Sequence, residues 1–425
     1  MNSSSALATD PCVHCGFCLP SCASYRVLGT EMDSPRGRIH SLKAIAAGEL
    51  QLDATVAGHF DSCLGCFACV TACPAGVRYD ELLAEVRPKL NNPAFRSPFQ
   101  RQLRHLLLNL LPYPQRLRAI LSPLRAYSDS ALQKLARRTG ITRLFGAEFA
   151  AMEELLPPLP AGAFGPDPAG LIPADGPRRA RVGLVLGCVQ RVFDPAVNAA
   201  TLAVLAANGV EVLLPPGQGC CGAVSDHQGE LLQTQSLAVD LVRIFNAAAA
   251  TEALDAILVA ASGCGHTLKR YPQLLAGQED FTAPVLDVHE FLMQLGLSAE
   301  FKARLKPLAE PVVVFHDACH MIHGQGITEQ PRELLKAIPG LILKEAVEAG
   351  VCCGSAGIYN LVQPEEAAAL GEIKATDLRA SGAAIVASAN IGCSLQIRQH
   401  MQKQKDPLPV AHPMELLARS AGLLQ

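Results

Sequence analysis

CVHCGFCLPSC, residues 12–22, and CLGCFACVTAC, residues 63–73, are two near copies of one cysteine pattern. Both follow the spacing C-x2-C-x2-C-x3-C, in which three thiolates two residues apart can bind three corners of one cubane [4Fe-4S] cluster from a single loop. Zinc sites instead usually pair two CxxC units or add histidines. Two complete copies therefore favour two cubane clusters over the alternative, which is a set of buried or zinc-bound cysteines.

The fourth ligand of each cluster has to come from outside its own loop. In two-cluster ferredoxins the last cysteine of each run binds the other cluster. We therefore expect residues 1–95 to form a ferredoxin-like, two-cluster helical domain, with Gly16, Gly65 and Gly76 in loops that bring backbone N–H groups close to sulfide. On this pattern the first cluster is assigned to Cys12, Cys15, Cys18 and Cys73, and the second to Cys63, Cys66, Cys69 and Cys22.

An insert between the two runs contains SPRGRIHSLKAIAAGEL, residues 34–50. Ser34 and Pro35 suit the cap and the first turn of a helix. Apolar residues then recur at helical spacing until Gly48. The insert is predicted to add a helix to the cluster-binding unit.

Composition and charge limit the class of protein. The 425 residues include 36 Lys and Arg against 39 Asp and Glu, which gives no electrostatic reason to expect nucleic acid as a partner. No signal peptide precedes the cysteines, and the longest apolar runs are far shorter than the roughly 20 residues of a membrane span. In a reducing compartment clustered thiols usually hold metal. We expect a cytoplasmic protein, with peripheral association with the inner membrane as an alternative.

Residues 96–180 differ in composition from the cysteine-rich segment. Their first part is rich in leucine and in basic residues, which predicts amphipathic helices with a basic face. Such a face can bind an acidic partner protein or an anionic membrane surface, or it can simply be solvated. Residues 157–180 are so rich in Pro and Gly that they predict a linker or irregular covering chain. One acidic residue, Asp129, accompanies the basic residues Arg96, Arg101, Arg104, Arg116, Arg118, Arg125, Lys134, Arg137, Arg138 and Arg143.

The C-terminal half contains a second duplication. Cys188, Cys220 and Cys264 recur 131, 132 and 129 residues later as Cys319, Cys352 and Cys393, and the CCG motifs also place Cys221 and Cys353 in register. Short β-branched runs alternate with helical stretches in both copies, which predicts two α/β domains with largely parallel sheets, residues 181–305 and 306–425. The cysteines should then lie beyond the carboxyl ends of the strands, where open α/β sheets place their sites.

Each repeat offers four thiols, Cys188, Cys220, Cys221 and Cys264 in the first and Cys319, Cys352, Cys353 and Cys393 in the second. Four thiols can bind one further iron-sulfur cluster or a zinc ion. His266, His289, His316 and His320 lie near these motifs. A histidine near a strand end is more often a hydrogen-bonded structural residue than a ligand, so we do not count these four as ligands.

GQGCCG, residues 217–222, matches the spacing of a dinucleotide-binding loop. Pro215 and Pro216 interrupt the junction between strand and loop, the loop contains two cysteines, and the second repeat keeps CCG but loses the glycine pattern. We therefore reject it as a nucleotide site. If flavin or nicotinamide chemistry is involved, another chain has to hold that cofactor.

The order of these motifs resembles, over nearly the whole chain, the iron-sulfur subunit of bacterial glycolate dehydrogenase, also called glycolate oxidase. The resemblance lies in CVHCGFC, SPRGRI, GCCGA, ASGCG, CCGSAG and ANIGC. It implies a flavoprotein partner that holds FAD and oxidises glycolate to glyoxylate, with D-lactate as a further substrate. It also implies that this chain passes electrons onward to a quinone or other acceptor and has no catalytic residue of its own. Iron-sulfur subunits of anaerobic glycerol-3-phosphate dehydrogenase and of some D-lactate dehydrogenases share this plan.

The CCG motifs also resemble those of heterodisulfide reductase, in which a five-cysteine motif ends in C-x-x-C. Here neither Cys264 nor Cys393 is followed by that last cysteine, which puts the disulfide-cleaving cluster of that enzyme in doubt. The two remaining function classes are an electron-transfer subunit and a thiol-disulfide reductase whose CC pairs react with substrate. The first class is the one we expect.

Overall fold

The computed structural model describes residues 9–424, so the first eight residues of the predicted N-terminal domain lie outside the described part of the chain. Over residues 9–424 the chain forms 23 α-helices and nine β-strands, and the strands make two sheets. This confirms the predicted fold class, a helical N-terminal unit followed by two α/β repeats. The domain boundaries at residues 95, 180 and 305 remain our prediction.

The N-terminal segment contains five short helices, and the last four of them pack around one apolar core. The helices are α1 (Ala23–Leu28), α2 (Pro35–Ala46), α3 (Ala54–Asp61), α4 (Ala68–Thr71) and α5 (Tyr79–Val86). α2 begins where the sequence predicts, because the Ser34 hydroxyl accepts a hydrogen bond from the backbone N–H of Gly37 and Pro35 occupies the first turn. Ile39 and Leu42 of α2 pack against Phe60 and Leu83 in the core. The insert is therefore part of the framework that holds the two cysteine loops.

The segment 96–180 is a helical layer against both repeats. It contains α6 (Pro98–Leu110), α7 (Pro114–Leu121), α8 (Ala131–Thr139), α9 (Ala147–Glu154) and a short strand β1 (Gly170–Ile172). Leu103 and Leu107 of α6 pack against Ile358 of the second repeat. Leu117 of α7 packs against Val192 of the first repeat. The layer therefore ties the two repeats together.

Half of the basic residues of this layer are paired with acidic residues and so do not form a free basic face. Within residues 9–424, five of the ten form ion pairs: Arg96 and Arg104 with Asp61, Arg118 with Asp167, Lys134 with Asp129, and Arg137 with Glu153. The sequence could not show this, because most of these acidic partners lie outside residues 96–143. The exposed surface of the layer also carries large apolar side chains, namely Leu132, Leu135, Ile141, Leu144, Phe145 and Phe149.

The first repeat forms a five-stranded sheet in the order β1-β3-β2-β4-β5. Its elements are β2 (Ala180–Val185), α10 (Gln190–Phe193), α11 (Pro195–Ala207), β3 (Val210–Leu214), α12 (Ala223–His227), α13 (Leu231–Ala248), β4 (Ala256–Val259), α14 (Ser262–Lys269), α15 (Tyr271–Leu274), β5 (Val285–Asp287), α16 (Val288–Leu295) and α17 (Ala299–Arg304). β2 to β5 pair in parallel. β1 pairs antiparallel with β3 and comes from the Pro- and Gly-rich stretch 157–180. That stretch is thus not wholly irregular, because part of it closes an edge of the sheet.

The second repeat forms a parallel sheet in the order β7-β6-β8-β9. Its elements are β6 (Val312–His316), α18 (Cys319–Gln325), α19 (Glu329–Lys336), β7 (Ile342–Glu345), α20 (Tyr359–Val362), α21 (Pro364–Ala380), β8 (Ile385–Ser388), α22 (Ile391–Met401), β9 (Val410–Ala411) and α23 (Pro413–Ser420). This order matches β3-β2-β4-β5 of the first repeat strand for strand. The two copies share one topology, as the cysteine intervals predicted.

The two repeats pack against each other through two equivalent pairs of helices, with one helix of each pair from each repeat. α11 contacts α23, and α16 contacts α19. α11 and α19 each follow the first strand of their repeat, while α16 and α23 each follow the last strand, so one contact is the counterpart of the other. This reciprocity is that of a two-fold interface between identical subunits, here within one chain. Within each repeat the cysteines follow the carboxyl ends of the strands.

Candidate metal centres

The first cysteine run lines one cavity together with the last cysteine of the second run. The cysteines of this first cavity include Cys12, Cys15, Cys18 and Cys73. Cys15 is exposed, and so are its neighbours Val13 and Phe17. The first cavity therefore brings together the set expected for one cluster, at the surface of the protein.

The second cysteine run lines another cavity together with the last cysteine of the first run. The cysteines of this second cavity are Cys22, Cys63, Cys66 and Cys69. Pro35, Cys69 and Tyr79 line both cavities, so the two share a wall. The crossing of Cys22 and Cys73 between the runs thus places two four-thiol sites side by side. None of the sixteen cysteines, all of which lie in the described range, forms a disulfide.

Hydrogen-bond donors point at the thiol sulfurs. The backbone N–H of Gly65 donates to Cys63 Sγ at 3.4 Å, and that of Val77 donates to Cys73 Sγ at 3.5 Å. The Tyr79 hydroxyl lies 3.8 Å from Cys63 Sγ. Gly65 has a positive φ of 60°, and a Cβ there would collide with the Arg87 guanidinium. Such N–H groups would stabilise the negative charge of a bound cluster.

Arg38 is a buried cation at the wall of the second cavity. Its guanidinium donates to the backbone oxygen of His59 at 2.6 Å and to the hydroxyls of Ser24 and Ser62 at 3.0 and 2.8 Å. Burial alone lowers the pKa of Arg38, but the negative charges of the cavity thiols and of Asp33 raise it above its usual value. Within residues 9–424 its Nη1 group has no hydrogen-bond partner. An unsatisfied buried donor beside four thiols fits an anionic cluster.

The cavity thiols are not free nucleophiles. Burial raises the pKa of the Cys66 thiol, and the nearby Cys319 raises it further. Burial also raises the pKa of Cys69 and, less strongly, that of Cys18. A thiol in such surroundings loses its proton readily only when a metal supplies the compensating charge. The donor set of both cavities therefore fits a bound cluster better than thiol chemistry.

The thiols of the first repeat gather beyond the ends of β2, β3 and β4. The Sγ atoms of Cys188 and Cys220 are 3.2 Å apart, and the thiols of Cys221 and Cys264 are in hydrogen-bond contact. The backbone N–H of Gly222 donates to Cys220 Sγ at 3.3 Å. All four thiols of the repeat thus meet at one place.

The thiols of the second repeat gather at the equivalent place. Cys353 hydrogen-bonds with both Cys352 and Cys393, which holds the pKa of the Cys353 thiol well below its usual range. Cys352 also contacts Cys319. His316, at the end of β6, joins this group: one of its ring nitrogens and the sulfurs of Cys353 and Cys393 lie within 4.8 Å of one another. No sequence motif separates His316 from the other histidines near strand ends.

The second cavity adjoins the thiol group of the second repeat. Cys66 and Cys319 both pack against an apolar cluster that includes Leu64, Cys352 and Tyr359. His320 Nε2 donates to the backbone oxygen of Gly65 at 2.9 Å, and the Tyr359 hydroxyl donates to that of Ser62 at 3.3 Å. The cysteine loops are therefore fixed onto the second repeat by direct contacts.

Three of the four histidines near the repeat motifs behave as expected from the sequence. His266 bonds to the backbone oxygen of Gly324, His320 to that of Gly65, and His289 to the carboxylate of Asp287. His320 also stacks on Phe67 of the second cysteine run, and the ring of His266 contacts Phe67 at a tilt. A further histidine, His227, stacks on His320 with ring centroids 4.9 Å apart. His227 stands in no motif, so the sequence offered no signal for it.

Known proteins match the chain along most of its length. Residues 8–77 match the family described as "4Fe-4S dicluster domain", residues 182–269 and 313–398 match "Cysteine-rich domain", and residues 99–156 match "Glycolate oxidase iron-sulfur subunit, linker region". The chain is 34% identical over 423 residues to the probable glycolate oxidase iron-sulfur subunit of Bacillus subtilis (strain 168), covering 97% of this chain and 94% of that one. The chain belongs to the glycolate oxidase iron-sulfur subunit family.

Two other relatives match this family member, one over most of its length and one over about half. The glycolate oxidase iron-sulfur subunit of Escherichia coli (strain K12) is 32% identical over 394 residues, which covers 91% of this chain and 89% of that one. Lactate utilization protein A 2 of Bacillus cereus (strain AH820) is 25% identical over 247 residues, or 56% of this chain and 98% of that one. The match to the lactate utilization protein therefore covers only about half of this chain.

Membership confirms the resemblance that the motifs indicated. The chain is an iron-sulfur electron-transfer subunit of an oxidoreductase complex. In residues 9–424 there is no helix with the length and apolar character needed to cross a membrane.

Proposed function

We propose that this chain binds two [4Fe-4S] clusters and carries electrons from a flavoprotein that oxidises glycolate to glyoxylate. The observation that carries the proposal is the pair of adjoining cavities, each lined by three cysteines of one run and by the last cysteine of the other, with Cys69 in the wall that the two cavities share. The proposed ligands are Cys12, Cys15, Cys18 and Cys73 for the first cluster and Cys63, Cys66, Cys69 and Cys22 for the second. A cubane cluster supplies one-electron transfer and has no site for hydride, so FAD in the partner would split the electron pair.

The positions of the two cavities suggest where electrons cross the surface of the protein. The first cavity lies at the surface beside Cys15, Val13 and Phe17, where a redox partner can approach. The second cavity is covered by the second repeat. The shared wall of Cys69 and Tyr79 holds the two proposed clusters next to each other. We propose that electrons cross the surface of the protein at the first cavity.

The proposed substrate of the complex is inferred from the names of the relatives. Both relatives that cover most of the chain are called glycolate oxidase iron-sulfur subunits, which favours glycolate. The partial relative, a lactate utilization protein, keeps D-lactate open as a substrate of the partner. An anaerobic glycerol-3-phosphate dehydrogenase subunit is a further alternative. A quinone is the proposed acceptor, reached at the inner membrane by peripheral association.

A thiol-disulfide reductase of the heterodisulfide type is not favoured. Its substrate would have to reach an ionised thiol, but Cys188, Cys220 and Cys221 are buried. The hydrogen bond with Cys220 raises the pKa of Cys188, and burial raises it further. Such a thiol is a poor nucleophile.

The helical layer offers the proposed docking surface for the flavoprotein. Leu144 and Phe145 are 83% and 73% exposed, and neighbouring apolar side chains of α8 and α9 are exposed as well. The arginines Arg138 and Arg143 accompany them. A surface that is apolar at its centre and basic around it fits a protein partner with an apolar, acidic-rimmed face.

Replacing Leu144 and Phe145 together by glutamate should lower the affinity for the flavoprotein at least about tenfold, because two charges would have to be desolvated at the interface. Binding is measured by titration of the purified partner. Iron content should not change. The matched control is Leu232→Glu, a site on α13 of the first repeat that is also 83% exposed. Equal affinity of the double variant and the control would remove this surface from the proposal.

The function itself is tested by separating the two chains. The purified chain alone should contain no flavin and should not reduce an artificial dye with glycolate or D-lactate. The flavoprotein should reduce the dye on its own, and adding this chain should speed electron delivery to a quinone. Oxidation of a hydroxy acid by this chain alone would overturn its assignment as an electron-transfer subunit.

A further inference from the structure

A buried imidazole in the second repeat replaces an apolar side chain at the equivalent position of the first. His316 ends β6 and lies three residues before Cys319, whereas the corresponding residue of the first repeat, three before Cys188, is Val185. Sheet order and cysteine positions are otherwise shared. A polar ring thus replaces an apolar side chain at one point of the same framework.

His316 is buried without a hydrogen bond to any nitrogen or oxygen of the chain. The residue is 1% exposed, and within residues 9–424 the polar group that its ring contacts is the thiol of Cys353. A buried polar group normally has its hydrogen bonds satisfied, and exceptions need an explanation. The other histidines near the repeat motifs each make at least one such bond. His316 therefore lacks the structural role that they have.

The ring of His316 faces two thiols. The ligand atoms of His316, Cys353 and Cys393 lie within 4.8 Å of one another, and all three residues are buried. Cys352 is in hydrogen-bond contact with Cys353 and can supply a fourth donor. These groups come from β6, from the loop after β7 and from α22, so a shared ligand would fasten three elements.

We propose that His316, Cys353 and Cys393, with Cys352 as fourth ligand, form a zinc site that the first repeat does not have. The spacing supports a single ion. With Zn–S of about 2.3 Å and Zn–N of about 2.0 Å, two ligands of one tetrahedral ion lie about 3.5–3.8 Å apart. In a cubane each thiolate binds a different iron, which spreads the sulfurs further. A closed, buried set of three thiolates and one imidazole is the donor set of a structural zinc.

The position of the site beside the second cavity indicates a structural role. Cys352 packs in the same apolar cluster as Cys66 of the second cavity. Zinc has no redox chemistry, so the site would not carry electrons. It would fix the loop of Cys352 and Cys353, against which the second cavity is seated. The proposal goes beyond electron transfer and does not depend on it.

The test is metal analysis of the full chain, purified anaerobically and incubated with zinc salt alone before desalting. The wild type should hold about one zinc per chain, with X-ray absorption at the zinc edge showing one nitrogen and three sulfur ligands. His316→Val, which copies the first repeat, and Cys393→Ser should lose most of the zinc. His316→Cys, which restores a thiolate, and Cys264→Ser, the equivalent of Cys393 in the first repeat, should keep it.

Iron is measured in the same samples and should be unchanged in every variant, which separates this proposal from that of the two clusters. Full zinc in His316→Val would overturn the proposal, as would a zinc-free wild type after the incubation or an all-sulfur absorption spectrum. Iron that disappears with His316 would also overturn it, because the site would then hold a cluster. If His316→Val does not fold, the wild-type spectrum and Cys393→Ser still decide.

Discussion

Replacing Cys15 by alanine should lower the iron content from about eight to about four atoms per chain, because one of the four ligands of the first cluster is removed. Alanine is preferred to serine, whose oxygen can replace the thiolate. Partner-dependent electron transfer should fall by about a hundredfold or more, since the first cavity is the one at the surface. Iron analysis and the rate of quinone reduction with the flavoprotein measure the two effects.

The control for this variant is Val13→Ala, which changes an exposed side chain of the same loop but no proposed ligand. It should keep its iron and its rate. Loss of iron in both variants would mean that the loop tolerates no change. Normal turnover by Cys15→Ala with four irons missing would show that electrons bypass the first cavity.

Replacing Arg38 by methionine should destabilise the N-terminal unit by about 3–5 kcal/mol, the usual cost of removing one partner from a buried charged network. Arg38 is almost wholly buried, and its loss removes the hydrogen bonds that it donates to Ser24, Ser62 and the backbone oxygen of His59. It also removes a buried positive charge from the wall of the second cavity. The cluster there should be lost first.

Anaerobic denaturation followed by the visible iron-sulfur absorption measures this effect. The control is Lys89→Met in the same N-terminal unit, whose ammonium group pairs with Glu85 at the surface. That variant should unfold close to wild type, because exposed ion pairs contribute little. Similar losses in both variants would mean that the unit is sensitive to the loss of any cation, and that the buried charge has no special role.

Local patterns in the sequence predicted much of this architecture. The Ser34–Pro35 start of α2 follows from capping alone, and the nearly constant cysteine interval predicted two repeated α/β domains with largely parallel sheets. The crossed grouping of Cys22 and Cys73 came from the ferredoxin pattern. The cavities bring the same residues together.

What the sequence could not predict depends on contacts between distant segments. The pairing of Arg96 with Asp61 and of Arg118 with Asp167 turns an apparently basic face into internal ion pairs. The seating of Cys66 beside Cys319 depends on how the cysteine loops dock on the second repeat. His316 is distinguished by its contacts in the folded chain, where its ring faces the thiols of Cys353 and Cys393. No motif encodes these relations.

The most direct measurement of the central claim is anaerobic mixing of this chain with the flavoprotein and glycolate, while the visible absorption of the iron-sulfur clusters is recorded. The account predicts that the clusters are reduced only when both partner and substrate are present, at a rate that matches turnover. Reduction by glycolate without the partner would contradict it. So would clusters that stay oxidised while the partner's flavin is reduced.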